Sequence, residues 1–116
     1  MRMELDYIPL YEIYSGEELR VAQLIQQRRI QMLVHSCIYY FLDDTIIEDF
    51  TWGKWAKELA ELQEKYPEIS ETVWWHEAFK GWEGSSGFNL PLTDDWVMNK
   101  AQQLLRWKRT KKERDL

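Results

Sequence analysis

Leu19, Ala22, Ile30, Leu33, Val34, Cys37, Ile38 and Phe41 recur at helical spacing, with Gln23, Gln26, Gln27, Arg28 and Gln31 on a polar side. The pattern predicts one long helix ending near Asp43. Its start is marked by Ser15 followed by Glu18, a capping-box pair in which each side chain takes an amide proton of the first turn. Asp43, Asp44 and Thr45 break the periodicity, and Ile46 and Ile47 read as a short extended piece tucked against the helices. A second helix follows, capped by Asp49 or Thr51. On it Trp52, Trp55, Ala56, Leu59, Leu62 and Tyr66 share one side, and Lys54, Lys57, Glu58, Glu61, Glu64 and Lys65 share the other. Pro67 lacks an amide proton and restricts the residue before it, so this helix stops near Tyr66.

Residues 1–14 alternate loosely and contain Pro9, which predicts an extended lead-in with Tyr7, Tyr11 and Tyr14 across the core. After the hairpin, Ser70 is positioned to cap a third helix over 71–79, with Val73, Trp74, Ala78 and Phe79 as its apolar members. Gly81, Gly84 and Gly87 punctuate a long loop over 80–93 that carries Trp82 and Phe88. Thr93 or Asp94 then caps a last helix whose inward residues are Trp96, Val97, Ala101, Leu104 and Leu105. The predicted fold is mainly α in a single domain: an extended lead-in (1–14), a helical hairpin (15–67), two further helices with a glycine-containing loop (68–105) and a basic tail (106–116).

A chain of 116 residues has room for one modest core. It has no apolar run near the roughly 20 residues of a membrane span, and acidic residues stand where a signal peptide would need an apolar stretch, so the expected location is the cytoplasm. The single cysteine, Cys37, has no internal disulfide partner and reads as a buried structural thiol. Charge is uneven. Residues 106–116 hold six basic and two acidic side chains, a net +4, whereas the first 105 residues hold nine basic and eighteen acidic, a net −9. Nucleic acid would therefore meet only Arg106, Lys108, Arg109, Lys111 and Lys112; the competing reading of these cations is a solvated helix end that suits the helix dipole.

No catalytic constellation is legible. His35 and Cys37 are two apart on one helix, which turns them about 200° from each other. No His or Cys pair has metal-ligand spacing, and GWEGSSG lacks the Gly-Lys-Ser/Thr and the preceding strand of a phosphate loop. Seven tryptophans exceed what a small helical core uses, and each buried indole N–H needs an acceptor. Trp74, Trp75, Trp82 and Phe88 are the candidate partner surface, against the reading that all of them serve the core. Adjacent on one helix, Trp74 and Trp75 would point in different directions.

The hairpin segment YYFLDDTIIEDFTWGKWAKELAELQEKYPE resembles, without a gap, the N-terminal Ia domain of bacterial NAD-dependent DNA ligases. The resemblance covers about 30 residues, or about 50 with the preceding long helix. In that family the hairpin closes over the nicotinamide mononucleotide half of NAD. The resemblance implies contacts from Tyr39, Tyr40, Asp49 and Trp52: the family tyrosine is kept at Tyr39 and its aspartate at Asp49. A tyrosine replaces the family histidine at Tyr40, a tryptophan replaces its tyrosine at Trp52, and Gly53 replaces a second aspartate. No lysine stands in a KxDG context, so the chain does not join DNA by the ligase mechanism. The whole chain looks like the small ligase-related proteins of phages and prophages.

The functional expectation is a non-catalytic binding protein of phage or mobile-element origin that acts on a protein partner, for instance by occupying the basic groove of a nucleic-acid enzyme or defence protein. One alternative is a nicotinamide-nucleotide (NMN or NAD) binding module with no other cofactor. A second is association with DNA through the basic tail.

Overall fold

The computed structural model describes residues 9–114, with side chains through Lys111. The fold is mainly α. Among the described residues the helices are α1 (Leu10–Ile13), α2 (Gly16–Phe41), α3 (Asp49–Lys65), α4 (Pro67–Thr72), α5 (His76–Phe79) and α6 (Asp95–Arg114). None is long and apolar enough to cross a membrane. Tyr7 and the rest of 1–8 lie outside the described residues.

α2 is the axis of the molecule and packs against α1, α3, α4 and α6. Ala22, Ile25, Arg29, Met32 and Ser36 step along it at alternating intervals of three and four, which keeps them on one face. Toward its C-terminal end Leu33, Val34, Cys37 and Ile38 are buried too, because α3 and α6 cover it from two sides. Burial on this scale is worth about 1.5–3 kcal/mol for each large aliphatic side chain. Cys37 is buried, with Sγ 3.8 Å from Met98 Sδ, and burial raises its thiol pKa.

α2 and α3 run antiparallel: Arg28 Nε meets Glu58 at 3.3 Å near one end, and Trp52 Nε1 donates to Ser36 Oγ at 3.2 Å near the other. α6 begins at a true side-chain cap, in which Asp94 Oδ1 accepts the Trp96 and Val97 amides at 2.8 and 3.4 Å. Its buried members include Val97, Ala101 and Leu105.

Several expectations need correction. Residues 10–13 form a helical turn rather than extended chain, and Tyr14 beyond it bonds Thr72 (2.6 Å between the hydroxyls). Ser15 occupies the N-cap of α2 but makes no side-chain cap bond. Glu48, not Asp49 or Thr51, is the N-cap of α3. Phe41 is 50% exposed, because α2 ends there and Leu42 packs on the core in its place. The third helix is two pieces. Pro67 sits at the first position of α4, where its missing N–H costs nothing, so helix resumes directly after Tyr66. Ser70 lies inside α4 rather than capping a helix. The chain then turns at Trp74 and Trp75, the latter left-handed at φ 74°, before α5.

That turn is held by Arg29, which is fully buried. Its Nε donates to Gln63 Oε1 (2.9 Å), one Nη to the Val73 and Trp74 carbonyls (2.9 and 3.2 Å), and the other to the Ser70 carbonyl and hydroxyl (3.2 and 2.6 Å). All five donors are used on neutral acceptors. Burial pushes the guanidinium pKa down to about 10, which leaves it cationic at neutral pH.

Candidate functional site

The C-terminal end of α2, the connection after it and the start of α3 converge with the glycine-rich loop on a cleft of about 230 Å³. α2 contributes His35 and Tyr39, which are four apart on one face, together with Tyr40. The connection contributes Thr45, Ile46 and Ile47. From α3 come Asp49 and Trp52, and the loop closes the remaining side with Ser85, Ser86 and Gly87. The four residues implicated by the ligase resemblance thus share one cavity. Gly53, by contrast, has open space where a side chain would be.

Trp52 is the best fixed wall. Its indole N–H is spent on Ser36 Oγ and its ring meets Trp82 edge-on, with centroids 6.4 Å apart at 81°. Trp82 in turn packs edge-on against Phe79 and donates from Nε1 to the Ser86 carbonyl at 2.9 Å. This bond curls the loop back over the cleft. Leu90 and Leu92 bury beyond the curl, and Ser86 Oγ accepts the Phe88 amide at 3.1 Å.

The loop glycines serve close approach. A β-carbon on Gly87 would overlap Ser36 Oγ and lie 3.3 Å from the Trp52 ring. One on Gly84, at φ 89°, would stand 3.1 Å from the Ala56 carbonyl oxygen. Ser85 Oγ bonds the Glu83 carboxylate.

The sequence does not mark His35 as a cleft residue. Its ring lies 5.9 Å from Trp55, and it also borders a second, apolar groove lined by Ile30, Val34, Leu104 and Trp107. Its Nδ1 is enclosed without a hydrogen-bond partner, and burial lowers its pKa. The favoured tautomer carries its proton on Nε2, since an enclosed bare N–H costs more than an enclosed lone pair.

The other predicted site residues divide. Trp74 and Trp75 are stacked (5.3 Å, 28°) and both lie against Trp96. Neighbouring side chains stack here because the helix is broken, so the roughly 100° step between residues does not apply. Trp82 is instead the pillar under the loop, and Phe88, 62% exposed, meets Tyr40 edge-on at 5.2 Å.

The basic residues belong to α6 rather than to a separate tail. Lys108 Nζ is engaged with Asp44 Oδ1 (2.9 Å) and the Thr45 carbonyl (2.6 Å), a contact that lowers the Asp44 pKa. Lys111 lies over the Trp107 ring at 5.3 Å. Arg106 and Arg109 are exposed, and the Lys112 side chain lies outside the described residues. Among the described residues no group of three or more His, Cys, Asp or Glu side chains is placed to hold a metal ion.

Comparison of the chain with protein-family models, with curated proteins and with solved structures finds no match.

Proposed function

We propose that the chain is a non-catalytic binding protein whose cleft receives the nicotinamide end of a nicotinamide nucleotide. The observation that carries this reading is the convergence of Tyr39, Tyr40, Asp49 and Trp52, drawn from two helices, on one cavity. Aromatic faces there suit a flat ring, and Asp49 supplies an acceptor. The volume is below the roughly 300 Å³ at which sites for drug-sized ligands begin, so it takes a ring and part of a ribose, with any adenylate outside. The ligase resemblance favours the same ligand and brings with it a cytoplasmic setting and a phage or mobile-element origin.

Isothermal calorimetry with nicotinamide mononucleotide and NAD tests the reading. Saturable binding that Trp52→Ala weakens at least tenfold supports it, and absence of heat at millimolar ligand overturns it.

A second reading, action on a protein partner, draws on the exposed aromatic side chains around the cleft. Tyr39 (57%), Tyr40 (41%) and Phe88 (62%) form a continuous edge-to-face series, and their chain neighbour Phe41 is also half exposed. Aromatic residues of this kind anchor protein interfaces. Pull-down from host lysate with the wild type and with Tyr40→Ser/Phe88→Ser tests it: a captured protein lost from the double variant supports a partner surface here, and capture unaffected by the changes removes it.

A further inference from the structure

Among the described residues the cleft's lining contains one carboxylate, Asp49, and neither lysine nor arginine. Two further acids, Asp43 and Asp44, border the adjoining depression beside Tyr39 and Tyr40, and Glu48 precedes Asp49 at the N-cap of α3. Two cations of α6 act at this end of the molecule: Lys108, engaged with Asp44 and with the carbonyl of the cleft residue Thr45, and Arg109, whose charge also reaches Asp44; Asp43, Asp44, Glu48 and Asp49 outnumber them.

His35 adds no positive charge. A second proton would have to sit on Nδ1, which is enclosed and faces no acceptor. The N-terminus of α3 adds a positive contribution equivalent to roughly half a charge, and the carboxylates of Glu48 and Asp49 at that same end outweigh it.

The aromatic walls act in the same direction. Tyr39, Tyr40 and Trp52 present π-systems whose faces carry partial negative charge, and Trp52 is held in place by Ser36 and Trp82. Aromatic side chains in a lining whose one formal charge among the described residues is a carboxylate favour a positively charged guest over an anionic one.

We infer that the cleft selects a heteroaromatic cation, binding a positively charged ring in preference to the same ring in neutral form. This rests in part on the nicotinamide reading, because the oxidised nicotinamide ring of a nucleotide is a pyridinium cation whereas the reduced ring is neutral. The phosphate then stays at the mouth and adds little to affinity, since among the described residues no basic side chain lines the site to receive it.

Calorimetry on the full chain with two matched pairs of probes tests the inference: 1-methylnicotinamide against nicotinamide, and oxidised against reduced nicotinamide riboside. The cationic member of each pair is expected to bind roughly tenfold tighter. Asp49 is exposed, so Asp49→Asn should fold, and it should cut that preference to about twofold or less by removing the one charge in the lining. Equal or tighter binding of the neutral rings, or an undiminished preference in Asp49→Asn, overturns the inference. If nicotinamide mononucleotide binds with no preference for ring charge, cation selection falls and the nucleotide reading stands. If 1-methylnicotinamide binds selectively while the nucleotides give no heat, the nucleotide reading falls and the cation cleft stands.

Discussion

Gly87 lies directly against Ser36, so close that a β-carbon on the glycine would overlap the serine hydroxyl. At this point the loop meets α2 through its backbone and the Ser36 side chain, whose hydroxyl also accepts the Trp52 indole proton. Gly87→Ala is expected to push the loop off the cleft and to cost about 1–3 kcal/mol, the usual penalty of overpacking. Gly53→Ala is the control: nothing lies within 4 Å of the place its methyl would take, and the substitution should gain up to about 1 kcal/mol of helix propensity. Urea denaturation of the two variants, with tryptophan fluorescence as the readout, checks the opposite signs.

Arg29→Met should be far more damaging than its similar volume implies. It removes the donor from the Val73 carbonyl, the Ser70 hydroxyl and Gln63 Oε1, and one donor from the Ser70 carbonyl, in a region with little access to water. The expected loss is about 3–5 kcal/mol, from several unsatisfied acceptors at about 1–3 kcal/mol each. Arg29→Lys should recover only part of it, because an ammonium has three donors where five acceptors wait. Chemical denaturation with an unchanged m-value would show that stability, not compactness, has altered.

His35 makes stability depend on pH. Its folded pKa lies below the ordinary value of 6.5, so the unfolded chain binds the proton more readily. The associated stability is present above pH 6.5 and is lost as pH falls through the folded value. Melting temperature should decline between pH 7 and pH 5 in the wild type, and His35→Gln should flatten that decline. The Asp44 pKa is lowered from 3.8, so its own contribution fades in a more acidic window and does not confound the measurement.

Lys108 joins the end of α6 to the turn after α2. Lys108→Ala should lower the melting temperature slightly, and Asp44→Asn should produce a comparable fall with little further loss in the double variant. High salt should shrink the effect, since both side chains are partly exposed. A salt-sensitive DNA gel shift that survives Lys108→Ala but is lost in Arg106→Ala/Arg109→Ala would assign any nucleic-acid contact to the exposed arginines.

The stripes on α3 and α6 are legible in the sequence because each is long enough for a 3.6-residue period to show. Arg29 is not, since one charged residue inside an apolar stripe reads as belonging to the polar side. The break at Trp74 and Trp75 escapes the sequence for a different reason: only the acceptors it offers to Arg29, 44 and 45 residues away, account for its position. In the cleft, Tyr39, Tyr40, Asp49 and Trp52 are reached through the ligase resemblance. His35 could be found as the i−4 neighbour of Tyr39, but Ser85, Ser86 and Gly87 join the site through a long-range approach that no local pattern encodes.

The position of Arg29 also sets an order of events during synthesis. Its acceptors follow it by 34 to 45 residues, an interval of roughly 2–9 s at typical elongation rates. Until they emerge the guanidinium must stay hydrated, and the face of α2 that carries it cannot be sealed. The hairpin of α2 and α3 is therefore not an autonomous folding unit. It closes only when the segment behind it arrives, so α4 and the turn at Trp74 and Trp75 are what allow the earlier half of the chain to fold.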